Sequence, residues 1–457
     1  MSEKTGKLKF IEKFGFFTYS MSLNISYNLK GTYYLTFLTL VLGLDVAKAG
    51  TMLMIGTIWD AINDPLIALF CNNHTFKNGE KIRPYVLYCC VPWAISLVLI
   101  FIDFNVNPDT YFFLGLAIYF IFEGLYTFLG IPYNSLASVT THLDSERKSI
   151  NAYRSLGGAV GSGIGAVAIL PIIKALGGLK DHDIWNRSDA SAFTKAAIIM
   201  GIICILGALF HYFTSHERIK QEPEQERKIG FVEAYSRLFK CKSWILNMAY
   251  ILCYGIINTL IMNNINYYAA FILGSSSKAL PIQAVYLIFA IITALIGPAI
   301  DTKLGRKKTM LLAAIIQIVG KIPFLINPNS MITVCINAFT FAVGITLTFI
   351  MFNTNRNNIT DILEYQNGFR MDSMVGAGDN LITKLAEAGS NKIMTAALAA
   401  SGFISTAITQ TESANSAIIS LLGIIPGAFA VVMVIIILFM DVNKELEQEK
   451  QKAEKKA

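Results

Sequence analysis

"GPAIDTKLGRKK" (residues 297–308) stands between two apolar runs, roughly 280–300 and 309–326. Each run is long enough to cross about 30 Å of hydrocarbon as a helix. The stretch therefore reads as a tight, basic turn joining two membrane helices. Glycine permits the turn, and Asp301 can accept hydrogen bonds from helix ends and arginines. Runs of this kind recur along the whole 457-residue chain, and only 15% of its residues are charged. A soluble domain carries roughly 25%. The other spans are expected at about 16–43, 47–70, 84–103, 110–131, 153–175, 193–214, 243–272, 330–352, 373–402 and 417–440. Lipid offers the backbone no hydrogen-bond partner, so all twelve are expected as helices, and the fold class is an all-α membrane protein.

Lysine and arginine placement orients the spans. Lys77, Lys81 and Arg83, then Arg218, Lys220, Arg227 and Lys228, then Arg306, Lys307 and Lys308 fall in alternate loops. The loops 104–109 and 403–416 carry neither residue, and 176–192 is the exception, with Lys180 and Arg187. Both termini are expected in the cytoplasm. This topology accounts for the net charge of +7, with no nucleic-acid partner implied. The start, MSEKTGKLKF, is polar and basic and does not read as a cleavable signal. The seven cysteines show neither metal-ligand spacing nor a disulfide framework.

The longest charged interruption, 215–242, divides the chain into six-helix halves, 1–214 and 243–440, followed by a charged tail at 441–457. "ALFCNNHTFKNGEKIRP" (68–84) is a degraded echo of 297–308, keeping Gly79, Lys81 and Arg83. The loop pattern resembles the signature of the major facilitator superfamily, with Gly297, Asp301, Gly305 and Arg306 as the gating-loop positions. That resemblance implies two six-helix bundles that rock about a midplane site. Gly157, Gly161 and Gly165 fall at i, i+4 and i+8, a stripe for close helix packing. They form no phosphate loop, because no Gly-Lys-Ser/Thr follows.

Ionisable residues at membrane depth are functional candidates. Here they are Lys30, Asp60, Asp64, Glu123, Arg154, Asp379, Lys384 and Glu387. Arg154 also reads as an interfacial arginine that snorkels to water. Lys30 and Glu123 read as an intramembrane ion pair. Asp60 and Asp64 lie one helical turn apart, and two like charges out of water repel unless a positive group intervenes. With Asn63 beside them, they offer hard oxygen ligands suited to a small cation, or to a shared proton. Lys384 is a candidate stand-in when no cation is bound.

"WDAINDP" (59–65), "GIPYNSLASVTTHLDSERKSINAYR" (130–154), "NNINYYAAFILG" (263–274) and "DILEYQNGFR" (361–370) resemble the glycoside–pentoside–hexuronide:cation symporters of the melibiose permease type. The resemblance implies sugar–cation symport by alternating access. It implies that Asp60, Asn63, Asp64 and Thr127 bind the cation, that Lys384 couples the two solutes, and that Arg154 contacts sugar. All the implied oxygen ligands are present, which favours Na⁺ over a proton alone, with H⁺ and Li⁺ as the alternative ions. The family's galactoside carriers place two sugar-binding carboxylates where this chain has Ser20 and Gly130, and a tryptophan where it has Asn134. This motivates the hypothesis of an anionic, hexuronide-like substrate. Tyr19, Asn24, Tyr126, Asn258 and Asn263 are further sugar-contact candidates, since amides and phenols suit hydroxyl-rich ligands.

The expected protein is thus a monomeric, multi-pass carrier in a bacterial cell membrane. It needs no cofactor beyond the co-transported cation, and its partners are a sugar, the cation and lipid. The alternatives are a carrier of the same fold for a non-sugar solute, and an intramembrane prenyltransferase. The enzyme reading is the weaker one, because no second Asp-x-x-x-Asp stands in an apolar span of the other half.

Overall fold

The computed structural model describes residues 7–141, 143–180, 182–218, 231–369 and 371–454. Lys220, Arg227, Lys228 and part of the 215–242 interruption lie outside them. Every regular element among the described residues is helical. The first half holds α1 (Phe10–Thr36), α2 (Val46–Asn73), α3 (Arg83–Leu99), α4 (Pro108–Thr140), α5 (Asp144–Gly163), α6 (Ile169–Ala175) and α7 (Ala190–Thr214). The second holds α8 (Phe231–Leu238), α9 (Lys242–Tyr267), α10 (Ala279–Leu304), α11 (Arg306–Val319), α12 (Lys321–Ile326), α13 (Met331–Asn367), α14 (Asp372–Ala400), α15 (Glu412–Leu422), α16 (Ile424–Phe439) and α17 (Val442–Glu454). Among the described residues, nine helical stretches are long and apolar enough to cross a membrane.

Local chemistry sets the ends. The Asp45 carboxylate accepts from the Ala47 and Lys48 N–H groups and starts α2. Asn107 caps α4 just before Pro108, and Thr411 caps α15. Gly305, at φ +80°, makes the sharp turn between α10 and α11. The following expected boundaries need correction. The 84–103 span ends at Leu99. The 330–352 span continues as helix to Asn367, because the chain stops only at Gly368 in the left-handed conformation. The 403–416 loop turns helical at Glu412, where the Thr411 cap forms. The 309–326 and 417–440 spans are each two helices, broken at Gly320 and at Gly423.

The chain forms two compact units. One comprises Met1–Glu224, Ser275–Ser277 and Phe403–Thr409; the other comprises Gln225–Gly274, Lys278–Gly402 and Gln410–Ala457. In the first, α1 packs on α5 and α7, α2 on α4, and α3 on α4 and α7. In the second, α9 packs on α14 and α16, α10 on α13, and α11 on α13 and α16. The pairing order is the same: α1 meets α5 and α7 as α9 meets α14 and α16, α2 meets α4 as α10 meets α13, and α3 meets α4 and α7 as α11 meets α13 and α16. The faint sequence echo between 68–84 and 297–308 covers corresponding turns, between α2 and α3 and between α10 and α11.

The glycine stripe lies against α1. A Cβ on Gly157, Gly161 or Gly165 would run into the Phe17, Met21 or Ile25 carbonyl, respectively. Backbone therefore packs on backbone at three successive turns. Arg187, one of the charges that set 176–192 apart, is tied to Asp103 of the neighbouring loop at 2.7 Å. Its guanidinium holds the Asp103 carboxyl below the usual carboxylate range.

Gly161→Ala should destabilise the protein by about 1–3 kcal/mol, the usual cost of overpacking a tight contact. Gly389→Ala, where an added Cβ meets nothing within 4 Å, should be neutral or mildly stabilising. Melting curves of the two purified variants check this, and equal melting temperatures would contradict the packing role.

Candidate cation and solute site

Helix α2 carries Asp60, Asn63 and Asp64 at i, i+3 and i+4, so all three leave one face of the helix. Pro65 lies inside α2 and has no N–H to offer the preceding turn. Helix α4 packs on α2 and brings Thr127 to that face. The Thr127 Oγ1 lies 2.8 Å from Asp64 Oδ1, 3.2 Å from Asn63 Oδ1 and 3.4 Å from Asp60 Oδ1. A hydroxyl has one proton to donate, so it serves one of these acceptors, and four oxygens remain drawn together. Thr127 and Asn63 are buried and the two aspartates half-buried. The cluster combines two carboxylates, an amide oxygen and a hydroxyl, a donor set for a small hard cation.

One turn before Thr127, α4 carries Glu123. Its Oε1 lies 2.6 Å from the Lys30 Nζ of α1, and both residues are buried. The Lys30 ammonium also reaches the Tyr119 hydroxyl at 3.3 Å and lies 5.3 Å from the Tyr27 ring centroid. The Glu123 charge is thereby compensated inside the bundle.

Farther along α1, the Ser20 hydroxyl donates to the Arg154 carbonyl at 2.6 Å and lies 2.9 Å from the Tyr133 hydroxyl. The Arg154 guanidinium sits over the Tyr133 ring, 3.9 Å from its centroid. The Asn24 amide donates to the Ser20 carbonyl, and Asn28 donates to the Asn24 carbonyl and to the Ser162 hydroxyl. Ser20, Asn24 and Asn28 therefore form a polar ladder at i, i+4 and i+8. A Cβ on Gly130 meets nothing within 4 Å, and the Asn134 side chain lies outside the described residues. Tyr126 stacks on Tyr27 and Phe122. Tyr19 is fully buried; its hydroxyl donates to the Leu129 carbonyl and its ring stacks on His211. Its polar end is committed to the bundle.

In the second unit, Asn258 is half-buried on α9. The buried Asn263 amide donates to the Asn391 side chain of α14 at 2.8 Å. Lys384 and Glu387 lie half-buried about one turn apart on α14, and Asp379 is buried on the same helix. In the turn that opened the sequence reading, Gly297 is buried and Asp301 binds Arg306 at 3.1 Å. Arg306 also donates to Asn355 of α13 at 3.1 Å. The echo turn uses other partners: Arg83 binds Glu80 at 2.8 Å, while Glu217 accepts from the Lys81, Ile82 and Arg83 N–H groups at the start of α3.

Sequence reasoning missed Tyr133, Asn28 and Ser162. The four-residue spacing from Ser20 was the available signal for Asn28. It also missed Lys321, buried in an expected span, with Nζ donating to Asn337 and to the Leu422 carbonyl. The rule for charges at membrane depth applies to it directly.

Residues 15–444 match the family model described as MFS/sugar transport protein. The chain belongs to this family. The symporter YnaJ of Bacillus subtilis (strain 168) is 26% identical, covering 99% of this chain and 95% of its own. The isoprimeverose transporter of Lactiplantibacillus pentosus is 22% identical, over 88% of this chain and 83% of its own. The sodium-dependent lysophosphatidylcholine symporter 1 of Gallus gallus is 21% identical, over 90% and 82%. Among solved structures, a bacterial homologue of the human lysosomal transporter Spinster superposes with a TM-score of 0.69 at 13% identity, covering 97% of this chain and 99% of its own. This family member therefore has the major facilitator fold. It is a multi-pass membrane transporter and not an enzyme, and the prenyltransferase alternative falls away.

Lys30→Met should lower stability by about 3–5 kcal/mol, because it leaves the Glu123 charge buried and unpaired. The double variant Lys30→Met/Glu123→Leu should recover most of that loss. Melting temperatures of the three proteins test the pair, and a double variant no more stable than the single one would argue against it.

Proposed function

We propose that this family member is a Na⁺-coupled symporter for a sugar, and that the sugar carries an anionic group, as a hexuronide does. The observation that carries the cation reading is the Thr127 hydroxyl, within 3.4 Å of an oxygen from each of Asp60, Asn63 and Asp64. A proton alone requires neither the amide oxygen nor the hydroxyl. The sodium-dependent relative is consistent with the same ion, and the isoprimeverose transporter with a sugar. The anionic reading rests on compensation. Glu123 is balanced by Lys30, Ser20 and Gly130 bring no carboxylate, and the Arg154 guanidinium, over the Tyr133 ring beside Ser20, is a positive group suited to a negatively charged solute.

Na⁺ binds first in this mechanism. It cancels the repulsion between Asp60 and Asp64 and draws the α2 and α4 side chains together. Ser20, Asn24, Tyr126 and Arg154 contact the sugar in the first unit. Lys384 couples the two solutes. Each ligand raises the affinity for the other by the same factor. The loaded carrier then exposes both to the opposite side of a bacterial cytoplasmic membrane. A membrane potential adds about 2.3 kcal/mol per charge per 100 mV. Twelve spans, cytoplasmic termini and a functional monomer complete the proposal.

A melting-temperature panel of sugars, each with and without Na⁺, tests it. At about 100 times Kd a ligand stabilises the folded state by about 2.7 kcal/mol. A uronide should raise the melting temperature more in Na⁺, and both Asp64→Ala and Thr127→Val should abolish the Na⁺ increment. Preference for a neutral disaccharide would overturn the anionic reading. A response to lysophospholipid, with none to any sugar, would favour the non-sugar carrier.

The Asp301–Arg306 pair is proposed to latch one of the two access states. Exchanging the two residues should restore less than normal transport even if the pair re-forms, since Arg306 also binds Asn355. Unchanged uptake kinetics in proteoliposomes would count against a latch.

A further inference from the structure

Asp379 has no role in the mechanism above. It is 4% exposed on α14, seven residues beyond the first residue of that helix, Asp372. Among the described residues, neither carboxylate oxygen has a hydrogen-bond partner. This is unusual for a buried group of its kind. An ionised carboxylate out of water is stable only when hydrogen bonds or a close cation replace its hydration. The neighbouring hydroxyl does not serve it: Thr383 Oγ1 donates to the Asp379 backbone carbonyl instead.

Among the described residues, one charged group acts on the side chain. The Arg356 guanidinium of α13 approaches Asp379 Oδ2 at 3.5 Å, too far for a strong charge-assisted hydrogen bond. The Arg356 side chain is 38% exposed, so part of its charge is spent on solvent. Of the helices packed on α14, α13 thus supplies the arginine. Helix α9 brings Trp244, whose indole lies against Gly378. Helix α8 carries Glu233 and Arg237, which bind each other at 2.7 Å. Helix α15 has one charged residue, Glu412, in its first turn. Among these described groups, Arg356 is the one that acts on the carboxylate.

We propose that Asp379 is a proton-binding site of the second unit, separate from the oxygen cluster of α2 and α4. In the deprotonated form the carboxylate and Arg356 hold α14 to α13 by a loose ion pair. On protonation, the carboxyl group accepts H⁺ from water, becomes neutral and loses its attraction for the guanidinium. The burial without hydrogen bonds then carries no charge penalty, and the α13–α14 contact is relaxed. The partly exposed arginine marks the short route by which the proton reaches solvent. Helix α14 also carries Lys384 and Glu387, so this proton biases the helix that holds the proposed coupling residue.

Infrared difference spectra of the full-length protein in lipid, recorded while the buffer is acidified, test this without sugar or transport. Their outcome is therefore independent of the symport proposal. A protonated-carboxyl C=O band should grow in, and one such band should be missing in Asp379→Asn. In Arg356→Gln, which keeps the carboxyl group, the same band should appear at a more alkaline pH, because the cation that favours ionisation is gone. A titrating band that keeps both its intensity in Asp379→Asn and its midpoint in Arg356→Gln would overturn the proposal. Asp379 would then be one half of a permanent structural ion pair.

Discussion

A charge inside an apolar helix bundle must find its compensation within a few ångströms, because the medium supplies none. The first unit solves this twice on neighbouring turns of α4. At Glu123 the compensation is permanent: a lysine from α1 closes to 2.6 Å. At Asp60 and Asp64 three oxygens converge on one hydroxyl, and two negative charges are assembled about one helical turn apart. A fixed pair gives a static bundle. A cluster of anions with hard oxygens stores repulsion, and in the proposed mechanism a small mobile cation relieves it, so that ion binding does conformational work.

The scaffold serves that contrast. Helices α2 and α4 pack directly on each other, as do α10 and α13, their counterparts in the second unit. The counterpart pair carries no comparable acidic cluster on α10; Asp301 sits at its end and binds Arg306. The same helix pairing therefore holds an oxygen cluster in one unit and a turn-stabilising pair in the other. Within the first unit, the glycine stripe of α5 brings its backbone onto α1. That contact sets Arg154 beside Ser20 and Tyr133, where a guanidinium rests on an aromatic face.

Much of this was legible in the chain. The length and spacing of apolar runs disclosed a helical membrane protein, since lipid leaves the backbone little alternative. The basic turn at 297–308 pointed to the superfamily, and Asp60, Asn63 and Asp64 declared one helix face by spacing alone. Boundaries were less legible where polar sequence stays helical. The extension of α13 to Asn367 is rich in asparagine and was read as loop, yet only Gly368 ends it. The breaks at Gly320 and Gly423 fall inside apolar runs, where composition gives no warning.

By itself, the sequence determined the all-helical class, the residues available for charge and coordination, and the family. These follow from local rules: hydrophobic length, helical period and the motif at each turn. Only the tertiary structure decided which residues meet. It joined Lys30 to Glu123 across 93 positions and Thr127 to Asp64 across 63. It turned the Tyr19 hydroxyl to the Leu129 carbonyl and left the Asp379 carboxylate without a hydrogen-bond partner among the described residues. Partners so distant in the chain are chosen by how helix faces pack and which backbones can approach, and no local pattern in the sequence encodes that choice.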